Sequence, residues 1–203
     1  MQAARGASLN PSDTATRHPS VPSRRRHLVV FAAIAVTAYA VDVVTKILAV
    51  RHLEGEPAIP LVGDLLSLYL THNSGAAFSF LTGHTEVLAV IAVIAAAAVL
   101  WFARRLGSTG WAVALGFLLA GVAGNLTDRI FREPGFMRGH VVDFLMLPNF
   151  PVFNVADICI NIAAGLIILQ ALRGVNVDGT RHADAESAAA TGPDGDVSGE
   201  TRP

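Results

Sequence analysis

The sequence predicts an all-α membrane protein of four transmembrane helices with a small extracytoplasmic β-sheet, both termini lying in the cytoplasm. Three observations predict it. The chain of 203 residues is 52% hydrophobic and only 15% charged, where a soluble domain carries about 25% charged residues. Its apolar residues gather into four long runs. Its arginines gather at alternate junctions between those runs.

The runs cover residues 28–50, 87–103, 111–126 and 152–172. A bilayer core of about 30 Å needs about 17–25 helical residues. The first and fourth runs meet this alone; the second is borderline and the third slightly short, so flanking residues must complete them. Helices are the default, because a segment in lipid must satisfy its own backbone hydrogen bonds.

Arginine placement orients the bundle. Arg24, Arg25 and Arg26 precede the first run, Arg104 and Arg105 separate the second from the third, and Arg173 follows the fourth. The loop 51–86 holds Arg51 alone, so it is expected outside. The loop 127–151 runs against this pattern with Arg129, Arg132 and Arg138. Three parts follow: a disordered N-terminal tail over 1–27, a membrane domain over 28–172, and a disordered acidic tail over 173–203. A cleaved leader is the alternative reading of the first run, since Ala38-Tyr39-Ala40 would suit a cleavage site. Apolar character resuming through Val50 argues against it.

Within the first outer loop, residues 66–71 alternate apolar and polar side chains, as a half-buried strand does. A short sheet lying on the membrane surface is expected there.

Several function classes are disfavoured. A net charge of −1 gives no basic surface for nucleic acid. The histidines are scattered without metal-ligand spacing, and Cys159 is the only cysteine, which excludes an intrachain disulfide or a multi-cysteine zinc site.

In this topology the polar residues fall at one level. Asp42 and Lys46 lie in the outer half of the first span, and Asn125, Asp128 and Arg129 at the outer end of the third. Asn154 and Asp157 lie near the outer start of the fourth, and Asp143 sits in the apolar run Val141-Val142-Asp143-Phe144-Leu145. An aspartate at a helix centre costs about 2.5–3.5 kcal/mol on insertion scales, so such residues usually face a polar cavity and mark function. Asp42 and Lys46 share a helix face and are expected to pair structurally. Asp128 beside Arg129 suits a helix-end cap or a solvated pair. Asn125 suits hydrogen bonding across helices, Asn154 suits an N-cap, and Cys159 suits packing.

Asp143 and Asp157 remain as the candidate catalytic pair, since neither has a lysine or arginine within four residues. Two carboxyl groups a few ångströms apart share one proton. The ionised member can then take a proton from water while the protonated one hydrogen-bonds the carbonyl under attack. That chemistry needs no metal and no cofactor. The rival readings are an ion-coupled transporter using its intramembrane acids as relays, a metal-dependent hydrolase with Asp143, His140 and Asp157 as ligands, and a non-catalytic assembly protein.

These residues also fall in five ordered blocks. They are Asp42-Val43-Val44-Thr45-Lys46, the run 72–79 from His72-Asn73-Ser74-Gly75 onward, Ala123-Gly124-Asn125-Leu126-Thr127-Asp128-Arg129, Gly139-His140-Val141-Val142-Asp143-Phe144, and Phe153-Asn154-Val155-Ala156-Asp157-Ile158. The series resembles the signature blocks of bacterial lipoprotein signal peptidase (signal peptidase II). The resemblance implies a membrane-embedded aspartic endopeptidase that removes signal peptides from diacylglyceryl-modified prolipoproteins, cleaving before the lipidated cysteine. It implies Asp143 and Asp157 as the catalytic acids, with Asn73, Asn125, Arg129 and Asn154 supporting the site or positioning substrate. Asp128 joins them as a support of more structural character, beside the structural pair Asp42 and Lys46. The partners implied are the lipidated prolipoprotein and membrane lipids, with no nucleic acid, for a monomeric multi-pass protein of the cell membrane whose site faces outward. One departure is the segment 144–156, a mobile flap in the family, which is short here and contains Pro148 and Pro151.

Overall fold

All four apolar runs are helical in the computed structural model, which describes residues 24–75 and 85–181. The expected tails over 1–23 and 182–203, and part of the second sequence block at 76–79, lie outside the described residues. Helix α1 spans Arg24–Leu53, α2 Thr85–Ala103, α3 Thr109–Phe131 and α4 Val155–Leu172. Each is long and apolar enough to cross a membrane. The third run thus gains the length it lacked: the helix continues through Asn125, Asp128 and Arg129 to Phe131. Asp128 and Arg129 can sit inside a helix because both are buried against protein. The first helix likewise starts at Arg24, inside the stretch expected as tail.

Apolar side chains cover the outer surfaces of the bundle. Val29, Val36, Val44 and Ile47 of α1, and Val87, Val90 and Ile94 of α2, are all exposed. A helix apolar on every side belongs in lipid.

α3 lies at the centre and packs on the other three helices. Lipid offers no hydrophobic drive between helices, so close backbone approach through small residues must supply the attraction. Glycines of α3 permit that approach. A Cβ added at Gly116 would lie 2.9 Å from Ile34, and one at Gly121 would lie 2.5 Å from the Ala156 carbonyl oxygen. At Gly124 it would lie 2.3 Å from the Asp42 carboxylate.

One end of the bundle carries an antiparallel three-stranded sheet in the order β1-β2-β3, with β1 at Ile59–Val62, β2 at Leu66–Asn73 and β3 at Val141–Met146. The expected strand is β2, two residues longer than its alternation suggested. β3 was expected as loop. Its residues Val141 to Phe144 are buried on both faces, so the run carries no polar alternation to read. Val142 and Phe144 pack on Ala49 and Leu53 of α1. Strand geometry sends Val141 and Asp143 to the opposite face.

Residues 174–181, placed in the tail by the sequence, fold back across the turn between α2 and α3. Trp111 Nε1 donates to the Val175 carbonyl at 2.8 Å, Gly107 N donates to the Val177 carbonyl at 2.9 Å, and Val175 bridges Arg181.

Gly121→Ala is expected to cost about 1–3 kcal/mol by overpacking the α3–α4 crossing. Gly165→Ala, whose Cβ would meet nothing within 4 Å, is expected to leave stability unchanged or raise it. Thermal unfolding of both variants in the same detergent checks the contrast.

Candidate active site

Sheet register delivers the first candidate acid. Thr71 on β2 pairs with Asp143 on β3, which makes Asn73 the diagonal neighbour of Asp143 on the same face. Asn73 Nδ2 donates to Asp143 Oδ2 at 2.9 Å, and Asn73 Oδ1 accepts from Gly75 N at 3.0 Å. Asp143 is 2% exposed. Burial pushes its carboxyl up to about 6, and the nearby charge of Asp157 adds to the rise, against the hydrogen bonds from Asn73 and Asn154 and the charge of Lys46.

The second acid comes from the start of α4. Asn154 is the N-cap, as expected; its Oδ1 accepts from Asp157 N at 3.0 Å, and its own N donates back to Asp157 Oδ2 at 3.1 Å. This reciprocal capping box satisfies two orphan donors of the helix start. Asp157 therefore lies in the first turn of α4, at the positive end of its dipole. It remains partly exposed.

Asn154 also joins the two acids. Its Nδ2 donates to Asp143 Oδ1 at 2.6 Å and to Asn125 Oδ1 at 3.1 Å, while Asn125 Nδ2 donates to Asp157 Oδ1 at 3.0 Å. One fully buried asparagine thus touches both carboxylates. The pair that the sequence singled out is brought together.

Behind this layer lies a second set of charges. Lys46 Nζ sits 2.9 Å from Asp42 Oδ2, from Asp128 Oδ2 and from Asn125 Oδ1. Asp42 Oδ1 accepts from Ala156 N at 2.8 Å, and Asp128 Oδ2 accepts from Val142 N at 3.3 Å. Asp42 and Lys46 pair as their spacing predicted. Asp128 departs from expectation. It is buried rather than solvated, and it pairs with Lys46 and Arg132 rather than Arg129. Nor does it face the cavity described next.

Asn73, Asn125, Arg129, Asp143 and Asp157 line a common cavity of about 710 Å³. Its remaining wall is largely apolar. Leu88, Ile91, Ala92 and Ala95 form one stripe of α2, facing Ile158 and Ile162 of α4, with Phe150 and Phe153 of the short connecting segment at the rim. Arg129 is 7% exposed, and Asp143, Asp128 and Asp157 all act on its charge. Its Nη2 donates to the Gly75 carbonyl at 3.0 Å, while its buried Nη1 has no hydrogen-bond partner among the described residues. The sequence showed no cation within four residues of either acid; the fold supplies one from α3, a closeness that chain distance cannot reveal. Cys159 is buried on α4, where it packs. Among the described residues, no three His, Cys, Asp or Glu side chains converge as a metal site would require.

The chain is similar to known proteins over most of its length. The family model for signal peptidase (SPase) II matches residues 34–173. The lipoprotein signal peptidase of Leifsonia xyli subsp. xyli is 42% identical over 178 residues, covering 87% of this chain and 82% of that protein. The lipoprotein signal peptidase of Mycobacterium tuberculosis is 44% identical over 168 residues, covering 82% of this chain and 83% of that protein. A solved bacterial membrane enzyme, determined by the in meso method at 2.3 Å resolution, superimposes with a TM-score of 0.62 at 28% identity, covering 70% of this chain and 87% of that one. A second such structure at 1.9 Å resolution gives a TM-score of 0.62 at 29% identity, covering 70% and 92%. The chain belongs to the signal peptidase II family, a family of aspartic-type peptidases.

Proposed function

We propose that this signal peptidase II family member cleaves diacylglyceryl-modified prolipoproteins just before the lipidated cysteine, using water activated by Asp143 and Asp157. The observation that carries this reading is the Asn154 side chain, which donates to Asp143 while its backbone donates to Asp157. It holds two carboxylates on one wall of a cavity large enough for a peptide segment.

Charge balance supports a shared proton. Four acids meet here (Asp42, Asp128, Asp143 and Asp157) and three cations oppose them (Lys46, Arg129 and Arg132). One added proton makes the cluster neutral. Asp143 is the deeper acid and the one that burial favours in its neutral form, so below about pH 6 the proton sits there. Asp157 faces the cavity from the first turn of α4, where it can meet a water molecule.

Asp157 then takes a proton from water as the water oxygen bonds to the scissile carbonyl carbon, and Asp143 donates to the carbonyl oxygen. Collapse of the tetrahedral adduct breaks the C–N bond, the departing amine takes the proton held by Asp157, and one hydroxyl of the adduct returns its proton to Asp143 as the carboxyl product forms. The unpartnered Nη1 of Arg129 is a donor available to a substrate carbonyl. The apolar stripe of α2 facing α4 gives acyl chains a path from the bilayer to the acids. A diacylglyceryl group can bury many methylenes there, each worth about 0.8 kcal/mol. Arg24, Arg25, Arg26, Arg104, Arg105 and Arg173 lie at the end of the bundle away from the sheet, which favours cytoplasmic termini and an extracytoplasmic site. Every residue invoked comes from one chain, so a monomer suffices.

Asp143→Asn and Asp157→Asn are each expected to abolish processing of a lipidated precursor without preventing membrane insertion. A precursor-processing assay on membranes containing each variant checks this; processing by either inserted variant would refute the dyad. A raised acid loses its proton as pH climbs through its folded pKa. In the free enzyme kcat/KM should therefore fall on the alkaline side with an apparent pKa of about 6. Precursor lacking the diacylglyceryl group should be a much poorer substrate, and equal turnover of both forms would contradict the acyl path.

A further inference from the structure

We infer that Lys46 is a positioning residue for the hydrolytic pair: its ammonium fixes which end of the Asn125 amide faces Asp157 and anchors the backbone beside both acids. The inference rests on the dyad reading given above.

An ammonium has three N–H donors and no acceptor. Lys46 Nζ donates to Asn125 Oδ1 at 2.9 Å, forms ion pairs at 2.9 Å with Asp42 Oδ2 and Asp128 Oδ2, and the residue is 1% exposed. Since Lys46 can only donate, and Asn154 Nδ2 donates to the same atom at 3.1 Å, Asn125 turns its oxygen toward both. Its Nδ2 is left to donate to Asp157 Oδ1. A rotated amide would instead place its oxygen against that carboxylate, two acceptors with no donor between them.

The two acidic partners extend the hold. Asp42 Oδ1 accepts from the N–H of Ala156, the residue before Asp157. Asp128 Oδ2 accepts from the N–H of Val142, the residue before Asp143. Each carboxylate gripped by Lys46 therefore grips the backbone next to one member of the pair, from α1 in one case and α3 in the other. The charged groups surrounding the lysine are Asp42 on α1, Asp128, Arg129 and Arg132 on α3, Asp143 on β3 and Asp157 on α4. A lysine that served only to pair Asp42 would change the amount of folded, inserted enzyme and leave kcat per folded molecule untouched.

The test compares the full chain with Lys46→Met and Lys46→Arg in lipid nanodiscs, using a lipidated precursor peptide and following kcat, KM and the pH profile. For Lys46→Met, KM should stay within about twofold and kcat should fall by about 100-fold. The alkaline limb of the kcat/KM profile should move upward by about one pH unit, because loss of a nearby cation makes the Asp143 carboxyl harder to ionise. Lys46→Arg should bring the profile back toward wild type, since it keeps the charge, without restoring full kcat, since a planar fork cannot reproduce the same three contacts. A Lys46→Met enzyme with unchanged kcat and an unmoved profile overturns the inference, as does a change confined to KM. If Lys46→Met does not insert, Lys46→Met combined with Asp42→Asn removes the carboxylate left bare and carries the same readouts and the same expected outcomes. Asp143→Asn and Asp157→Asn separate the two ideas. Activity in either would remove the premise, whereas inactive dyad variants beside a normal Lys46→Met would remove the Lys46 inference alone.

Discussion

A charge carried into a lipid-facing bundle must be met there by its opposite, and Lys46 and its two carboxylates satisfy that constraint for three elements at once. Bringing an ammonium and two acids out of water carries a penalty of several kcal/mol per ion, which their attraction offsets only when geometry is good and the remaining donors are satisfied. Here each acid has a second role. Asp42 holds the first turn of α4 and Asp128 holds β3. The strand and helix that bear the acids of the cavity are located by charges they do not themselves contain. Gly124 belongs to the same arrangement, because only a residue without a side chain lets α3 pass so near the Asp42 carboxylate.

The helices were legible because each is a long apolar run, and length against bilayer thickness is a forgiving criterion. Their ends were less so. Hydropathy stops at the first charged residue, whereas α3 continues to Phe131 because Asp128 and Arg129 are covered by protein. β2 showed itself by alternation, one face in and one face out. β3 did not, since α1 covers one face and the cavity residues cover the other, and a strand buried on both faces reads like any short apolar run. Residues 174–181 had no apolar periodicity to mark them; they are placed by backbone hydrogen bonds to Trp111 and Gly107, which leave no pattern in sequence.

The residues of the site were read from chemistry and order, and their roles were read less well than their identities. Asp143 and Asp157 stood out as acids with no local counter-charge, and the fold does bring them to one cavity. Asn154 was expected to cap α4 and does so, yet its contact with Asp143 depends on a strand that sequence did not show. The absence of nearby cations was a statement about chain distance. Arg129 enters the site across a helix–sheet junction, and Asp128, its neighbour in sequence, turns to the opposite side toward Lys46. Adjacent helical residues point about 100° apart, so a carboxylate and a guanidinium next to each other in sequence are poorly placed to pair.

The return of the chain over the α2–α3 turn carries a practical consequence. The Val175 carbonyl is the acceptor for the Trp111 indole, and the Val177 carbonyl receives the Gly107 amide. An affinity tag or reporter joined straight after α4 would strip both donors of their acceptors at the bundle end farthest from the sheet. The same fusion placed beyond Arg181 leaves that closure whole, so the permissive junction for labelling this enzyme lies after the returning segment and not at the end of its last helix.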